Sequence, residues 1–331
     1  MFIARHHSTG LFNQILSLET LFGIASLFES ESLIYEFDGG INDQTNNESR
    51  KKILGEKIPV LSDLVDIPKN DKITFLKGPA TNFKNIDLFN SFDENSKKLV
   101  DYFINVDASK TSNIDNFSHG REEIDISKDY ILNNYNLDYY SHCFFNRNKS
   151  FDDIIFNIKI KQEYLDLAKK IAENIGSFNG CHLRKRDHII IEDISEKDFF
   201  EGIGIFDNNK PLILSTDDRD NPFIKNINLI DDIIINDFLS DFQSLPFYNE
   251  VVFGLISNLV MHHADDFIGT STSTFTNYIQ RNLNLQGRCN WRYFKNDRFI
   301  NENPSVVYSW ERYPNGGYFY TEWPESNRIT D

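Results

Sequence analysis

Cysteine and long apolar runs are scarce in this chain of 331 residues. Its three cysteines, Cys143, Cys181 and Cys289, are widely separated and odd in number, so they offer neither metal-ligand spacing nor a disulfide framework. The longest apolar-rich stretch, residues 11–28, is interrupted by polar residues, and the first residues lack the pattern of a secretory signal. We therefore expect a soluble, cytoplasmic protein with reduced cysteines and no stable membrane insertion.

Positive charge is also in short supply. Lys and Arg total 34 against 50 Asp and Glu, which gives a formal net charge of −16. Such a surface repels polyphosphate backbones, so we expect no nucleic-acid partner. A small anion can bind only in a pocket where a few basic groups make the local electrostatic potential positive. Hydrophobic residues at 40% and charged residues at 25% are typical of a globular protein.

Several catalytic motifs are missing as well. The sequence has no glycine-rich phosphate loop with a lysine, no GxSxG elbow, no CxxC pair and no apparent internal repeat. Two clusters could suggest a metal, Asp217-Asp218-Arg219-Asp220 and His262-His263 with Asp265. A loop or donor-site role for the first, and a helix-end role for the second, are favoured instead. We predict no bound metal and no cofactor.

The spacing of apolar residues predicts alternating strands and helices. Predicted strands cover residues 1–4, 32–37, 180–183, 211–215 and 266–269, and predicted helices cover 11–28, 159–175, 195–201, 248–263 and 273–283. Residues 60–150 have no clear periodicity. Alternation of this kind indicates an α/β fold with a parallel sheet between helices. The length suggests two domains, 1–175 and 176–331, the second ending in an aromatic tail.

Chemistry in such folds is concentrated where parallel strands end. The segment from Ala264 to Phe275 is predicted to run from a strand through a polar loop into a helix, where free N–H groups and the hydroxyls of Ser273 and Thr274 could cradle an anion. The alternative is that these hydroxyls only cap the helix. Arg184, after another strand, could grip phosphate oxygens, or lie in a solvated basic patch. Each segment offers half of a diphosphate site.

Four motifs in this order resemble the fucosyltransferase superfamily of inverting glycosyltransferases, and most closely the GDP-fucose protein O-fucosyltransferases. The motifs are Gly10-x-x-Asn13-Gln14, His182-Leu183-Arg184-x-x-Asp187, Leu214-Ser215-Thr216-Asp217, and Ala264-Asp265-Asp266-Phe267-Ile268-Gly269 continuing through Ser273-Thr274-Phe275 to Arg281. The resemblance implies a GT-B architecture, in which two Rossmann-like domains face each other across a cleft. It also implies a GDP-sugar donor bound by the second domain and an acceptor on the side of the first.

The resemblance implies roles residue by residue for the donor site. Arg184 would contact the diphosphate and stabilise the departing GDP, and His182 would contact the nucleotide or its ribose. Asp265 would read the guanine. The phosphates would be held by three consecutive residues, Ser273, Thr274 and Phe275. From the first domain, the turn at Gly10 and the side chain of Asn13 would approach the diphosphate or the sugar.

The reaction implied is metal-independent transfer of fucose from GDP-fucose to an acceptor hydroxyl of a protein or a glycan. His7 and Asp38 are both candidates for the base that activates this hydroxyl, and neither is assigned. Two alternatives stay open: an α1,2- or α1,6-type fucosyltransferase acting on a sugar acceptor, and a nucleotide-binding GT-B protein without turnover.

Overall fold

The computed structural model describes residues 2–5, 10–27, 31–36, 41, 53–67, 69–77, 90, 92–94, 97–98, 130–132, 158–184, 194–270, 273–288 and 291–294. The chain divides into two compact units. The first comprises Met1–Asn42 and Ile58–Ile160, and the second comprises Asp43–Lys57 and Lys161–Asp331. Both contain parallel sheets and helices, so the predicted α/β class is confirmed.

The first unit contains a four-stranded parallel sheet in the order β4-β2-β1-β5. Its elements are β1 (Phe2–Arg5), α1 (Leu11–Leu27), β2 (Ser32–Tyr35), α2 (Leu61–Leu64), β3 (Val65–Asp66), β4 (Ile73–Leu76), β5 (Tyr130–Leu132) and β6 (Lys159–Ile160). The short strands β3 and β6 pair separately and antiparallel. The predictions of β1, α1 and β2 are therefore confirmed, with ends shifted by one or two residues.

Helix α1 forms because its apolar residues recur at helical spacing and find a core. Ile15, Leu18, Leu21 and Phe22 are fully buried, which removes their side chains from water and stabilises the helix in place. Glu19 lies on the same buried side, and its carboxylate accepts a hydrogen bond from the backbone N–H of Ile158 at 3.2 Å. This bond provides a partner for a carboxyl group that would be costly to bury without one.

The carboxyl end of β2 is tied to the start of α2. Glu36, which follows the strand and is buried, accepts hydrogen bonds from both the N–H of Ser62 at 2.7 Å and its hydroxyl at 2.6 Å. Burial raises the pKa of the Glu36 carboxyl, although these two bonds from Ser62 act in the opposite direction. The pair fixes the chain where it leaves the sheet.

The second unit contains a five-stranded parallel sheet in the order β11-β10-β7-β8-β9. Its elements are α3 (Gln162–Ile175), β7 (Asn179–Leu183), α4 (Glu196–Ile203), β8 (Leu212–Thr216), β9 (Asn228–Leu229), α5 (Ile230–Asp237), α6 (Leu239–Gln243), α7 (Glu250–Met261), β10 (Asp266–Gly269), α8 (Thr274–Leu285) and β11 (Trp291–Tyr293). All five residues of β7 are buried, as expected for a central parallel strand covered on both faces.

Local signals set the ends of these elements. Gly176, at φ +77°, ends α3 in the left-handed region, and Ser195 begins α4 with a capping box in which its hydroxyl accepts from the N–H of Asp198. The helix predicted to end at residue 175 does end there, and the helix predicted at 195–201 is present as Glu196–Ile203. The predicted helix at 159–175 begins later, at Gln162, because Lys159 and Ile160 form β6.

Helix α3 is counted in the second unit, so the division of the chain lies between Ile160 and Lys161. The assignment of an acceptor role to residues 1–175 and a donor role to residues 176–331 stays a prediction. No helix within the described ranges is long and apolar enough to cross a membrane.

Candidate functional site

The ends of three neighbouring strands meet at one edge of the second sheet. In the parallel register, His182 of β7 pairs with Ser215 of β8 on one side and with Gly269 of β10 on the other. The motif segments after these strands therefore begin side by side, as predicted from their positions in the sequence. At the carboxyl edge of a parallel sheet, such residues are well placed to bind a ligand.

Thr270 joins the segments that follow β7 and β10. Its N–H donates to the carbonyl of His182 at 3.1 Å, and its hydroxyl accepts from the N–H of Arg184 at 3.2 Å. Thr270 is fully buried and Arg184 is half-buried. The backbone from which the Arg184 guanidinium extends is therefore fixed to the start of the polar loop.

His182 is held on two sides by the first turn of α8. Its Nδ1 lies 2.7 Å from the hydroxyl oxygen of Thr276, and its ring stacks on that of Phe275 with centroids 4.3 Å apart and planes at 22°. Burial, and then the nearby charge of Arg184, lower the pKa of His182 to about 3. The imidazole is therefore neutral at physiological pH and adds no positive charge beside Arg184.

The start of α8 contains the group that best indicates a ligand. Ser273 immediately precedes the helix and is fully buried, yet its hydroxyl finds no hydrogen-bond partner among the described residues. The N–H of Asn277 donates to the Ser273 carbonyl at 3.0 Å, and the N–H groups that come before this donor are those for which a helix provides no helical acceptor. Thr274 is also buried. A buried hydroxyl beside the N–H groups of a helix start is suited to an anion.

The predicted alternative, that these hydroxyls only cap the helix, can be compared with a true cap in the same unit. Asn249 caps α7 with its side-chain oxygen, which accepts from the N–H of Val252 at 3.1 Å. The Ser273 hydroxyl makes no such bond to the described part of the chain. Its burial without a cap bond favours the anion cradle.

Gly269 allows the strand and the helix to approach closely. A Cβ on Gly269 would lie 2.6 Å from Cγ2 and 2.7 Å from Oγ1 of Thr276. These distances are shorter than van der Waals contact, so only glycine fits without displacing Thr276. Gly269 and Thr276 were not predicted to act in the site. Their closeness follows from packing between elements that have no mutual signal in the sequence.

Asp265 is not brought together with the other predicted residues. It precedes β10, and its N–H donates to the carbonyl of Phe178 at 2.8 Å, before the start of β7. The length of β10 therefore separates Asp265 from the edge that carries His182, about 13 Å at 3.3 Å per residue. The position of Asp265 before the strand was already visible in the sequence, and it indicates the opposite edge of the sheet.

The contacts of Asp265 indicate a structural ion pair. Its carboxylate accepts a hydrogen bond from the Ser177 hydroxyl and lies 3.0 Å from the ammonium of Lys210. The bond from Ser177, and then Lys210, lower the pKa of Asp265. In this structure the carboxylate joins segments at the amino edge of the sheet.

The remaining predicted residues belong to the first unit or lie outside the described residues. Gly10 is exposed directly before α1, and Asn13 lies in the first turn of that helix. His7, Asp38 and Asp187 fall outside the described residues, so their roles stay predictions.

The acidic segment after β8 makes protein contacts at the carboxyl edge. The N–H of Asp218 donates to the Thr216 hydroxyl at 3.1 Å, and Arg219 pairs with the Asp232 carboxylate. Across the described ranges, no group of three or more His, Cys, Asp and Glu side chains is arranged to hold a metal ion.

No protein-family model and no curated protein matches the chain by sequence. Among solved structures, it is similar to fucosyltransferase NodZ from Bradyrhizobium, with 14% identity, a TM-score of 0.45 and coverage of 84% of this chain and 91% of that one. The chain is also similar to NodZ α-1,6-fucosyltransferase soaked with GDP-fucose, with 13% identity and a TM-score of 0.43 over 85% of this chain and 91% of that one. A third similar structure is POFUT1 in complex with GDP, with 12% identity and a TM-score of 0.44 over 89% of this chain and 98% of that one. At these identities and TM-scores, none of the similarities transfers an activity or a binding site to this chain.

Proposed function

We propose that the protein is an inverting, metal-independent glycosyltransferase that transfers fucose from GDP-fucose to the hydroxyl of a protein or glycan acceptor. In this proposal the second unit binds the donor at the carboxyl edge of its sheet. The GT-B architecture that the motif resemblance implies would place the acceptor on the side of the first unit. The motif resemblance supplies the sugar and the nucleotide, and the geometry of the second unit supports an anion at this edge.

The observation that carries the proposal is the buried Ser273 hydroxyl at the start of α8, which has no hydrogen-bond partner in the described part of the chain. An unbonded buried hydroxyl costs about 1–3 kcal/mol, so a ligand oxygen that accepts from it recovers this energy. The guanidinium of Arg184 and the N–H groups of α8 would bind the remaining phosphate oxygens.

The chemistry needs charge stabilisation at the leaving group. The acceptor oxygen forms a bond to the anomeric carbon from one face while the bond to the phosphate oxygen breaks on the other, which inverts the configuration. Negative charge then develops on the departing GDP, where Arg184 and the helix N-terminus would stabilise it. The acceptor proton would pass to a base, for which His7 and Asp38 remain the candidates.

Calorimetric titration with GDP, UDP and ADP in EDTA tests the donor site. We expect GDP to bind the wild type in preference to the other two. Replacing Arg184 by Ala, or Ser273 by Ala, should weaken GDP binding, by about ten- to a hundredfold for the charged contact. The matched control is Lys197→Ala, which removes a cation of α4 that is 80% exposed and pairs with Glu201. Its GDP affinity should be unchanged.

Two results would contradict the donor site: GDP binding that requires a divalent cation, or GDP binding that is insensitive to Arg184. Release of fucose from GDP-fucose, with or without an acceptor, then separates an enzyme from a nucleotide-binding protein without turnover. Comparison of protein and glycan acceptors identifies the acceptor class.

A further inference from the structure

Helix α7 carries polar side chains in its buried interior. Ser257 and Asn258 are 2% and 0% exposed, and His262, which follows the helix, is 8% exposed. Burying an amide or an imidazole is costly unless each polar atom finds a partner. An all-apolar helix would pack here without this cost, so the cost has to be offset by the hydrogen bonds that these polar groups make.

The Asn258 amide connects α7 to the first turn of α8. Its Nδ2 donates to the carbonyl of Phe275 at 2.9 Å, and its Oδ1 lies 3.0 Å from Nε2 of His262. A carbonyl can only accept, so the amide nitrogen must face Phe275 and the amide oxygen must face His262. His262 therefore carries its proton on Nε2. Burial, followed by the charge of His263, lowers the pKa of His262 to about 3 and keeps the ring neutral.

Phe275 is also the residue whose ring stacks on His182. The first turn of α8 is thus held by its backbone from α7, through Asn258, and by its side chains from β7, through the His182 ring and the Thr276 hydroxyl. The buried Ser273 hydroxyl lies two residues before Phe275. A shift of this turn would move the hydroxyl, the N–H groups and the stacked rings together.

We infer that Asn258 is a positioning residue for the nucleotide site, acting through the Phe275 carbonyl to fix the start of α8 against His182, with His262 orienting its amide. This inference rests on the proposed function for the identity of the ligand. Asn258 is buried and bonds to the Phe275 carbonyl and to His262, so it would act on the ligand through the first turn of α8.

Asn258→Leu removes both hydrogen bonds at similar side-chain volume. The matched control is Ser257→Ala on the same buried helix, because the Ser257 hydroxyl donates within α7, to the Phe253 carbonyl at 2.9 Å. Both changes remove one bond from a buried side chain to a backbone carbonyl. GDP affinity is measured calorimetrically at a temperature where denaturation shows each variant to be folded.

We expect GDP to bind Asn258→Leu at least about tenfold more weakly than the wild type, and Ser257→Ala to remain within about twofold. Equal affinities in the two folded variants would overturn the positioning role.

The titration of His182, followed by NMR of its ring, gives a second readout that does not require GDP. In the wild type His182 stays neutral far below its ordinary pKa of about 6.5. In Asn258→Leu the loosened stack admits water, so the pKa should rise toward that value, while Ser257→Ala should leave it unchanged. An unchanged His182 titration in Asn258→Leu overturns the inference even if the wild type binds no GDP. A wild type without GDP binding, but with the shifted titration, contradicts only the proposed function.

If Asn258→Leu does not fold, His262→Leu and His262→Gln replace it. The His262→Leu variant lacks the bond that orients the Asn258 amide, and the His262→Gln variant restores a donor to the Asn258 amide oxygen. We expect weaker GDP binding and a raised His182 pKa in the Leu variant, with recovery in the Gln variant. The same values in both variants would overturn the inference.

Discussion

Gly269 shows how a single missing side chain shapes the candidate site. The Thr276 side chain occupies the space that a Cβ on Gly269 would need, and the Thr276 hydroxyl contacts His182. The substitution Gly269→Ala should therefore displace Thr276 and destabilise the protein by about 1–3 kcal/mol. Chemical denaturation measures the stability, and GDP titration measures the accompanying loss of binding.

Gly254 provides the control for this prediction. It lies inside α7, and a Cβ there meets nothing within 4 Å. Gly254→Ala should stabilise the protein by up to about 1 kcal/mol through helix propensity. A second substitution, Thr276→Ala, should relieve the clash in Gly269→Ala and restore part of the stability. If Gly269→Ala alone is as stable as the wild type, the close approach of β10 and α8 is wrong.

At the scale of elements, Asn249 combines two functions at the start of α7. Its oxygen caps the helix, and its Nδ2 donates to the Lys57 carbonyl at 3.3 Å. Asn249→Ala should remove both bonds and cost about 2 kcal/mol, whereas Asn249→Ser keeps a good cap and should lose only the bond to Lys57, about 1 kcal/mol. Denaturation of both variants measures the difference. Equal losses would mean that the cap bond contributes nothing, and an Asn249→Ser variant as stable as the wild type would mean that the Lys57 bond contributes nothing.

Helices and strands whose apolar residues have an unambiguous spacing were predictable from the sequence. Helix α5 is an example of an element that was not. Four isoleucines lie close together in residues 230–235, a composition that fits a strand as well as a helix. In the structure Ile230 and Ile234 are buried, while Ile233 and Ile235 are half-buried, which is the spacing of a helix. Tertiary packing decides between strand and helix here, and the local sequence does not show which of the two will form. The two-residue strands β3, β6 and β9 likewise depend on partners distant in the chain.

The candidate site likewise has features that the sequence predicted and features that it did not. The ends of β7 and β10 were predictable, because each apolar run stops at a polar motif, and these ends placed His182, Arg184 and Ser273 correctly near one edge. The link from Asn258 to Phe275 was not predictable, since the accepting carbonyl lies in another helix, 17 residues along the chain. Asp265 was assigned by its motif, although its place before β10 assigns it to the other edge.

At the scale of the whole molecule, the net charge of −16 predicts an unusual salt dependence. Under the proposed function, GDP is an anion that has to approach an acidic protein before it can reach Arg184 and the start of α8. Raising ionic strength from 0.01 to 0.15 M shortens the Debye length from about 30 to about 8 Å, which screens the long-range repulsion. The association rate constant of GDP should therefore increase with salt, opposite to proteins that attract polyphosphates.

Stopped-flow measurement of GDP association over this range checks the prediction. Guanosine, which carries no phosphate, is the control and should associate at a rate independent of salt. A rate constant for GDP that falls with salt would indicate that local basic groups dominate the field around the site.

The assignment of Asp43–Lys57 to the second unit has a consequence for synthesis of the chain. Ile53 accepts a bond from the Gln243 side chain at 3.3 Å, and the N–H of Gly55 donates to the Tyr248 carbonyl at 3.0 Å. Ile53 and Gln243 are 190 residues apart. At 5–20 residues per second, the ribosome needs about 10–40 s to make the partners of this segment. During that time the early segment waits without them, so the second unit can be completed only after most of the chain has emerged.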